Sequence, residues 1–259
     1  MNAAVNSNKE DMLNKVPQLT IYFWIIKIMA TTVGETVADL LTVRLSLGLI
    51  VASVVVGVLL LIALFVQLRM HKYVPSIYWI AVVLISVAGT LITDNLVENF
   101  GVPLWVTTIG FAVALCATFI AWHVVEKSLS VHTIKTTRRE LFYWSAILCT
   151  FALGTAGGDL LAEGAKLGYT YSALLFAGCI ALVTLGYYKF GLDAVVAFWL
   201  AYILTRPLGA SLGDLMSQPT QNGGFGLGTV MTSATFLVVI LGLVIFMSQR
   251  RDDAQPATA

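Results

Sequence analysis

Four aspartates recur at one place in a repeated pattern. Asp39, Asp94, Asp159 and Asp214 each lie five residues after a glycine (Gly34, Gly89, Gly154, Gly209), and each glycine lies ten residues after a tryptophan (Trp24, Trp79, Trp144, Trp199). A carboxylate set in an apolar helix has to face a polar interior, so acids repeated at one depth suit cation binding or passage. Positions four and eight residues before each Asp share its helix face. They are Glu35 and Thr31 before Asp39, Thr90 and Ser86 before Asp94, Thr155 and Phe151 before Asp159, and Ala210 and Arg206 before Asp214. One step back from Thr31 reaches Lys27. Three charges on these stripes, Lys27, Glu35 and Arg206, have no counterpart in the other repeats.

Hard divalent cations such as Mn²⁺ and Mg²⁺ take carboxylate, hydroxyl, carbonyl and water oxygens. Glu35, Asp39, Asp94, Asp159 and Asp214 supply the carboxylates, and Thr31, Thr90 and Thr155 the hydroxyls. These eight are the expected substrate- or ion-binding residues, with the five acids as the expected metal ligands. Lys27 and Arg206 are the expected gating and ion-pair residues, Arg206 against Glu35 at a nearby depth. Proton coupling would use the same carboxylates. Pro207 follows Arg206 within its helix, where it removes one backbone hydrogen bond. His71, His123 and His132 fall at helix ends or in a loop, and Cys116, Cys149 and Cys179 fall inside helices without metal or pairing spacing, which reads as buried, reduced packing. There is no nucleophile–base arrangement, phosphate loop or HExxH, so neither an enzyme nor a cofactor is expected.

The elements that position these residues follow from composition. Hydrophobic residues make up 58% of the 259, charged ones 11%, and mean hydropathy is +0.87. A soluble domain carries roughly 25% charged residues, so the chain reads as an all-α integral membrane protein. Eight stretches have the length of a span, near 21–43, 46–67, 76–97, 103–124, 141–162, 170–189, 194–216 and 226–248. Eleven Lys and Arg on one side of these spans against Arg44 and Lys166 on the other place both termini in the cytoplasm. The expected setting is a bacterial inner membrane crossed several times, with no nucleic-acid partner at a net charge of +1. Homodimerisation is left open.

The tryptophan spacings of 55, 65 and 55 make four two-helix units nested in two halves, displaced by 120 residues. The division is a tail at 1–18, a first half at 19–125, a linker at 126–140, a second half at 141–249 and a tail at 250–259. Two helices per unit insert every copy in the same direction. The Trp, Gly and Asp positions over about residues 20 to 248 resemble a family of bacterial membrane proteins built from four tandem two-helix repeats. That family is catalogued as a repeat of unknown function, and the resemblance implies the architecture without an activity. Each Trp is expected to anchor its helix at the membrane interface, and each Gly to let inner helices approach closely. The Asp lies roughly 22 Å beyond the Trp at the helical rise, near the far side. The reading is a cation transporter or exporter with a carboxylate-lined site between four inner helices. Its alternatives are a cation channel with the Asp positions as a ring, and a scaffold or accessory subunit that transports nothing.

Overall fold

A computed structural model describes residues 14–253; the sequence-defined tails therefore lie largely outside the described residues. The chain is a multi-pass membrane protein of eight helices, each long and apolar enough to cross a bilayer. They are α1 (Ile21–Asp39), α2 (Leu49–Arg69), α3 (Pro75–Asp94), α4 (Leu104–Glu126), α5 (Thr137–Asp159), α6 (Tyr169–Phe190), α7 (Ala194–Ser217) and α8 (Thr229–Asp253). Among the described residues there is no strand.

Local chemistry sets where the inner helices begin. Thr20 and Thr136 cap α1 and α5 by accepting the amides of Phe23 and Arg139. Asp193 caps α7 through Val195 and Val196, and Pro75 opens α3, where its missing amide hydrogen is not needed. The face on which these helices start also carries the ends of the described chain and is called the terminal face below.

The odd helices form a closed ring, α1 beside α3, α3 beside α5, α5 beside α7 and α7 beside α1. Between 56% and 67% of the core of each is buried within the protein, against 11% to 22% for the even helices. The even helices stand outside, and each packs chiefly on the inner helix of the next repeat: α2 on α3, α4 on α5, α6 on α7, and α8 back on α1. The two sequence halves therefore interlock through α4 and α8, and an inner helix that moved would carry the outer helix of the preceding repeat. Polar side chains join these layers, as when Asn95, the residue after α3, donates to Ser53 of α2 (2.8 Å) and Ser233 of α8 contacts Thr36 of α1 (2.7 Å).

Four glycines set the diameter of the ring. Each backs onto the residue three before the glycine of the neighbouring repeat: Gly34 onto Ser86, Gly89 onto Phe151, Gly154 onto Arg206 and Gly209 onto Thr31. A methyl group at Gly209 would lie 1.7 Å from Thr31 Oγ1 and 3.0 Å from the Ile28 carbonyl oxygen. Gly209→Ala is therefore expected to cost about 1–3 kcal/mol by overpacking, read as lower folded yield and melting temperature. Gly57→Ala, where a methyl would meet nothing within 4 Å, is the control and should match wild type.

Beyond the aspartates the inner helices change geometry. α1, α3 and α5 widen into π-helical turns, Leu40–Arg44, Asn95–Asn99 and Leu160–Gly164, each starting at the residue after the Asp. Single π turns of this kind recur at functional sites. The fourth repeat ends differently. The loop after Ser217 folds back so that the amides of Phe225, Leu227 and Gly228 donate to the carbonyls of Leu215, Met216 and Ser217. Gly224 is required there, because a Cβ would stand 2.1 Å from the Gln218 carbonyl oxygen.

Candidate functional site

The axis of the ring is filled in layers. Nearest the terminal face, eleven residues before each glycine, come Phe23, Tyr78, Tyr143 and Phe198, all buried. The Tyr78 and Tyr143 hydroxyls are 2.6 Å apart, and the Phe23 and Phe198 rings lie 6.3 Å apart. This aromatic layer closes the axis. The repeated tryptophans belong to it, which corrects their expected role as interface anchors. Trp79, Trp144 and Trp199 are 2–4% exposed and only Trp24 is half-buried. Converging inner helices bring them against rings of other repeats: Trp79 lies 5.7 Å from Phe23, Trp144 5.5 Å from Tyr78, and Trp199 5.8 Å from Trp122.

Lys27 forms the next layer and is fully buried. Its ammonium donates to Thr205 Oγ1 at 3.1 Å and sits 4.4 and 4.1 Å from the ring centres of Phe151 and Tyr202. Cation–π contact and one hydroxyl hold it. No carboxylate pairs with it among the described residues, so the ion-pair role expected for Lys27 is corrected to a cation in an aromatic cage.

Arg206 occupies the middle of the ring, with none of its side chain exposed. Its Nη2 donates to Glu35 Oε2 (2.9 Å), to Thr155 Oγ1 (2.8 Å) and to Thr90 Oγ1, and its Nη1 to the Thr31 carbonyl oxygen (3.3 Å). Glu35, Thr90 and Thr155 are the same position, one after the glycine, in three repeats, and the fourth repeat has Ala210 there. Arg206 thus joins four repeats at one point. The Thr90 hydroxyl also reaches Glu35 Oε2 (3.3 Å), which links the acceptors to one another. Thr31 differs from expectation: its hydroxyl donates to the Ile28 and Thr205 carbonyl oxygens while it packs on Gly209, leaving only its carbonyl for the site. Pro207 fits against Gly154 and Gly158 within a continuous α7.

The four aspartates come next. Each is half-buried, and none of the four side chains makes a hydrogen bond or ion pair among the described residues. All four lie within electrostatic range of Glu35. Two exposed acids missed by the sequence reading, Glu98 and Glu163, join this field from the π turns of α3 and α5. The signal was present, since both stand nine residues after a repeat glycine. The expected five-acid metal centre does not form: among the described residues no three His, Cys, Asp or Glu side chains gather closely enough to hold an ion. The physical reason is that Glu35 is engaged by Arg206 while each aspartate stands on a different helix of the ring. The three cysteines are free, and Cys116 is exposed on the outside of α4 rather than buried. The histidines are exposed.

A second buried charge pair lies at the terminal face. Lys15 Nζ donates to Glu140 Oε2 (2.6 Å) and to the Leu68 carbonyl oxygen (3.1 Å), while Gln67 Nε2 and Trp144 Nε1 donate to Glu140 Oε1 (3.0 and 3.4 Å). The Lys15 amide donates to Ile134 O and the Asn14 side chain to Val131 O, so the segment before α1 is clasped to the linker before α5. A separate groove of about 690 Å³ between α1, α6 and α7 is mainly apolar in lining and stands off the axis.

Four consecutive segments, residues 22–73, 77–128, 142–192 and 197–252, match the family described as Repeat of Unknown Function (DUF347). No curated protein and no solved structure matches the chain.

Proposed function

The chain belongs to that repeat family, and we propose that it carries cations across the membrane by exchanging them for the guanidinium of Arg206 at Glu35. The observation that carries this reading is the centre of the ring, where one internal cation holds a buried carboxylate and two hydroxyls directly beneath four unpaired aspartates. The acids on the far face concentrate cations, since like charges around a low-dielectric opening raise the local concentration of counter-ions. Arg206 keeps Glu35 neutralised while no substrate is bound. A cation arriving from the aspartates competes for Glu35, and the released guanidinium frees the inner helices to rearrange. The aromatic layer and the Lys15–Glu140 clasp are the closed gate on the terminal side. The eleven-to-two excess of Lys and Arg supports reading that side as cytoplasmic, with a bacterial inner membrane as the proposed setting. Mn²⁺ and Mg²⁺ belong in the first substrate panel because of the acids, and they would approach with their water shells, as Mg²⁺ usually does.

Flux into liposomes carrying the purified protein, measured over a panel of metal and organic cations, tests the proposal. Glu35-dependent, saturable flux of any one cation supports it; ohmic current indicates a channel; an absence of both leaves the ion pair a structural tie. The aspartates give an independent check. None has a hydrogen bond to lose, so Asp94→Asn and Asp214→Asn should leave folded yield near wild type. Each should weaken apparent cation affinity, and the double change by roughly tenfold at low salt. Near 1 M salt, where charges are screened beyond about 3 Å, the defect should vanish. An unchanged affinity at low salt would remove the aspartates from the pathway.

A further inference from the structure

Resting on the reading just given, we infer that the cation exchanged at Glu35 is a nitrogen cation bearing N–H donors, a guanidinium or a primary ammonium, rather than a bare divalent metal. Both cations already on the axis belong to this class, and the protein has built a matched site for each. The Arg206 site offers one carboxylate oxygen, two hydroxyl oxygens and one backbone carbonyl to a planar, singly charged fork. The Phe151 ring stands 5.8 Å from the guanidinium carbon, within the range of cation–π attraction. The Lys27 site, one layer nearer the terminal face, offers a hydroxyl and two aromatic faces to an ammonium. A single buried carboxylate balances one positive charge. A bare divalent ion takes about six oxygen ligands, whereas this point offers one buried carboxylate and no three acids come together among the described residues. Arg206 Nε is buried without a partner at this point. The hydrogen-bonding capacity around the guanidinium is therefore not used up, which suits a site that has to accept an exchanging guest.

The charge logic favours the same class. Arg206 stays tethered to α7 when it is displaced, so a singly charged guest adds one positive charge to the ring, and the four unpaired aspartates stand next to the freed guanidinium. Entry of a divalent ion would add two, on an axis that already holds Lys27 without a carboxylate partner among the described residues, and each uncompensated buried charge is costly. The acids at the far face then act as an attracting field for any cation. Selection falls at Thr90, Thr155 and Glu35, where acceptors are aimed at N–H groups.

The test uses the whole protein in lipid nanodiscs and liposomes, with methylguanidinium and ethylammonium as probes. Tetramethylammonium, which has no N–H, and Mn²⁺ and Mg²⁺ serve as comparisons. Methylguanidinium should raise the melting temperature and drive saturable flux, and tetramethylammonium should do neither. Thr90→Val with Thr155→Val keeps the shape and should weaken methylguanidinium binding roughly tenfold or more, the usual worth of hydrogen bonds to a charged group. Glu35→Gln should abolish both responses. Because that variant strands Arg206, Arg206→Ala supplies a second readout: millimolar guanidinium should fill the vacated place and restore its folded yield. Glu35-dependent flux of Mn²⁺ or Mg²⁺ without any response to methylguanidinium overturns the substrate class and leaves the exchange reading standing. Flux of no cation at all overturns both.

Discussion

Glu35→Gln should lower stability by about 3–5 kcal/mol, because it leaves the Arg206 guanidinium buried with only hydroxyl and carbonyl acceptors. Removing one partner of a buried pair carries this penalty, whereas removing both is often neutral. The guanidinium is 2.9 Å away and fully enclosed, and Glu35 is itself only 10% exposed, so water replaces the lost carboxylate poorly. The double change Glu35→Gln with Arg206→Gln should therefore recover most of the loss. Activity separates the roles of the pair: flux should remain absent in the double variant, since the exchanging carboxylate is gone whatever the stability. Melting temperature and liposome flux of the two single variants and the double form one thermodynamic cycle. Recovery of flux together with stability would reduce the pair to a structural tie and defeat the exchange mechanism.

The four-repeat bundle was legible because duplication leaves a period in the chain and because charges are costly in a bilayer. Lys27, Glu35 and Arg206 stand out against apolar helices on those grounds alone, and the meeting of Glu35 with Arg206 follows once the first and last repeats close a ring. What was hidden depends on which surface a residue shares. Trp79 and Trp144 have the position of interface anchors, yet the same depth puts them between converging helices, where neighbouring rings replace the headgroups. Thr31 has a stripe position identical to those of Ser86, Phe151 and Arg206, and the glycine opposite each decides its fate: it becomes packing against Gly209, while the side chain of Arg206 passes Gly154 to reach the axis. The swapped outer helices leave no mark on sequence spacing, since a two-helix unit reads alike whether its second helix packs at home or on its neighbour. Glu98 and Glu163 look like loop acids until the π turns after Asp94 and Asp159 carry the helix out to them. Lys15 and Glu140 look like solvated flanking charges for the same reason, being 125 residues apart and outside every span core.

That hidden pair gives the other large effect. Glu140 is 1% exposed and Lys15 6%, so Lys15→Met should leave a buried carboxylate with only Gln67 and Trp144 as donors, at a cost of about 3–5 kcal/mol. Glu140→Gln should have the mirror effect and also free the segment that Lys15 ties down, because the backbone bond from Lys15 to Ile134 is anchored at its side chain by Glu140. Trypsin reports this directly. The bond after Lys15 should resist cleavage in the intact protein, where the ammonium is engaged by Glu140 and the Leu68 carbonyl. It should be cut at least tenfold faster in Glu140→Gln, by mass analysis of the shortened chain; this factor corresponds to a local opening made easier by about 1.4 kcal/mol. If the clasp is the gate on the terminal side, the paired change Lys15→Met with Glu140→Gln should regain stability. It should also bind substrate added from the terminal face, which the clasped protein refuses. Equal protection of Lys15 in wild type and Glu140→Gln would show that the segment is held by its backbone bonds alone, and the closure of that face would then rest on Phe23, Tyr78, Tyr143 and Phe198.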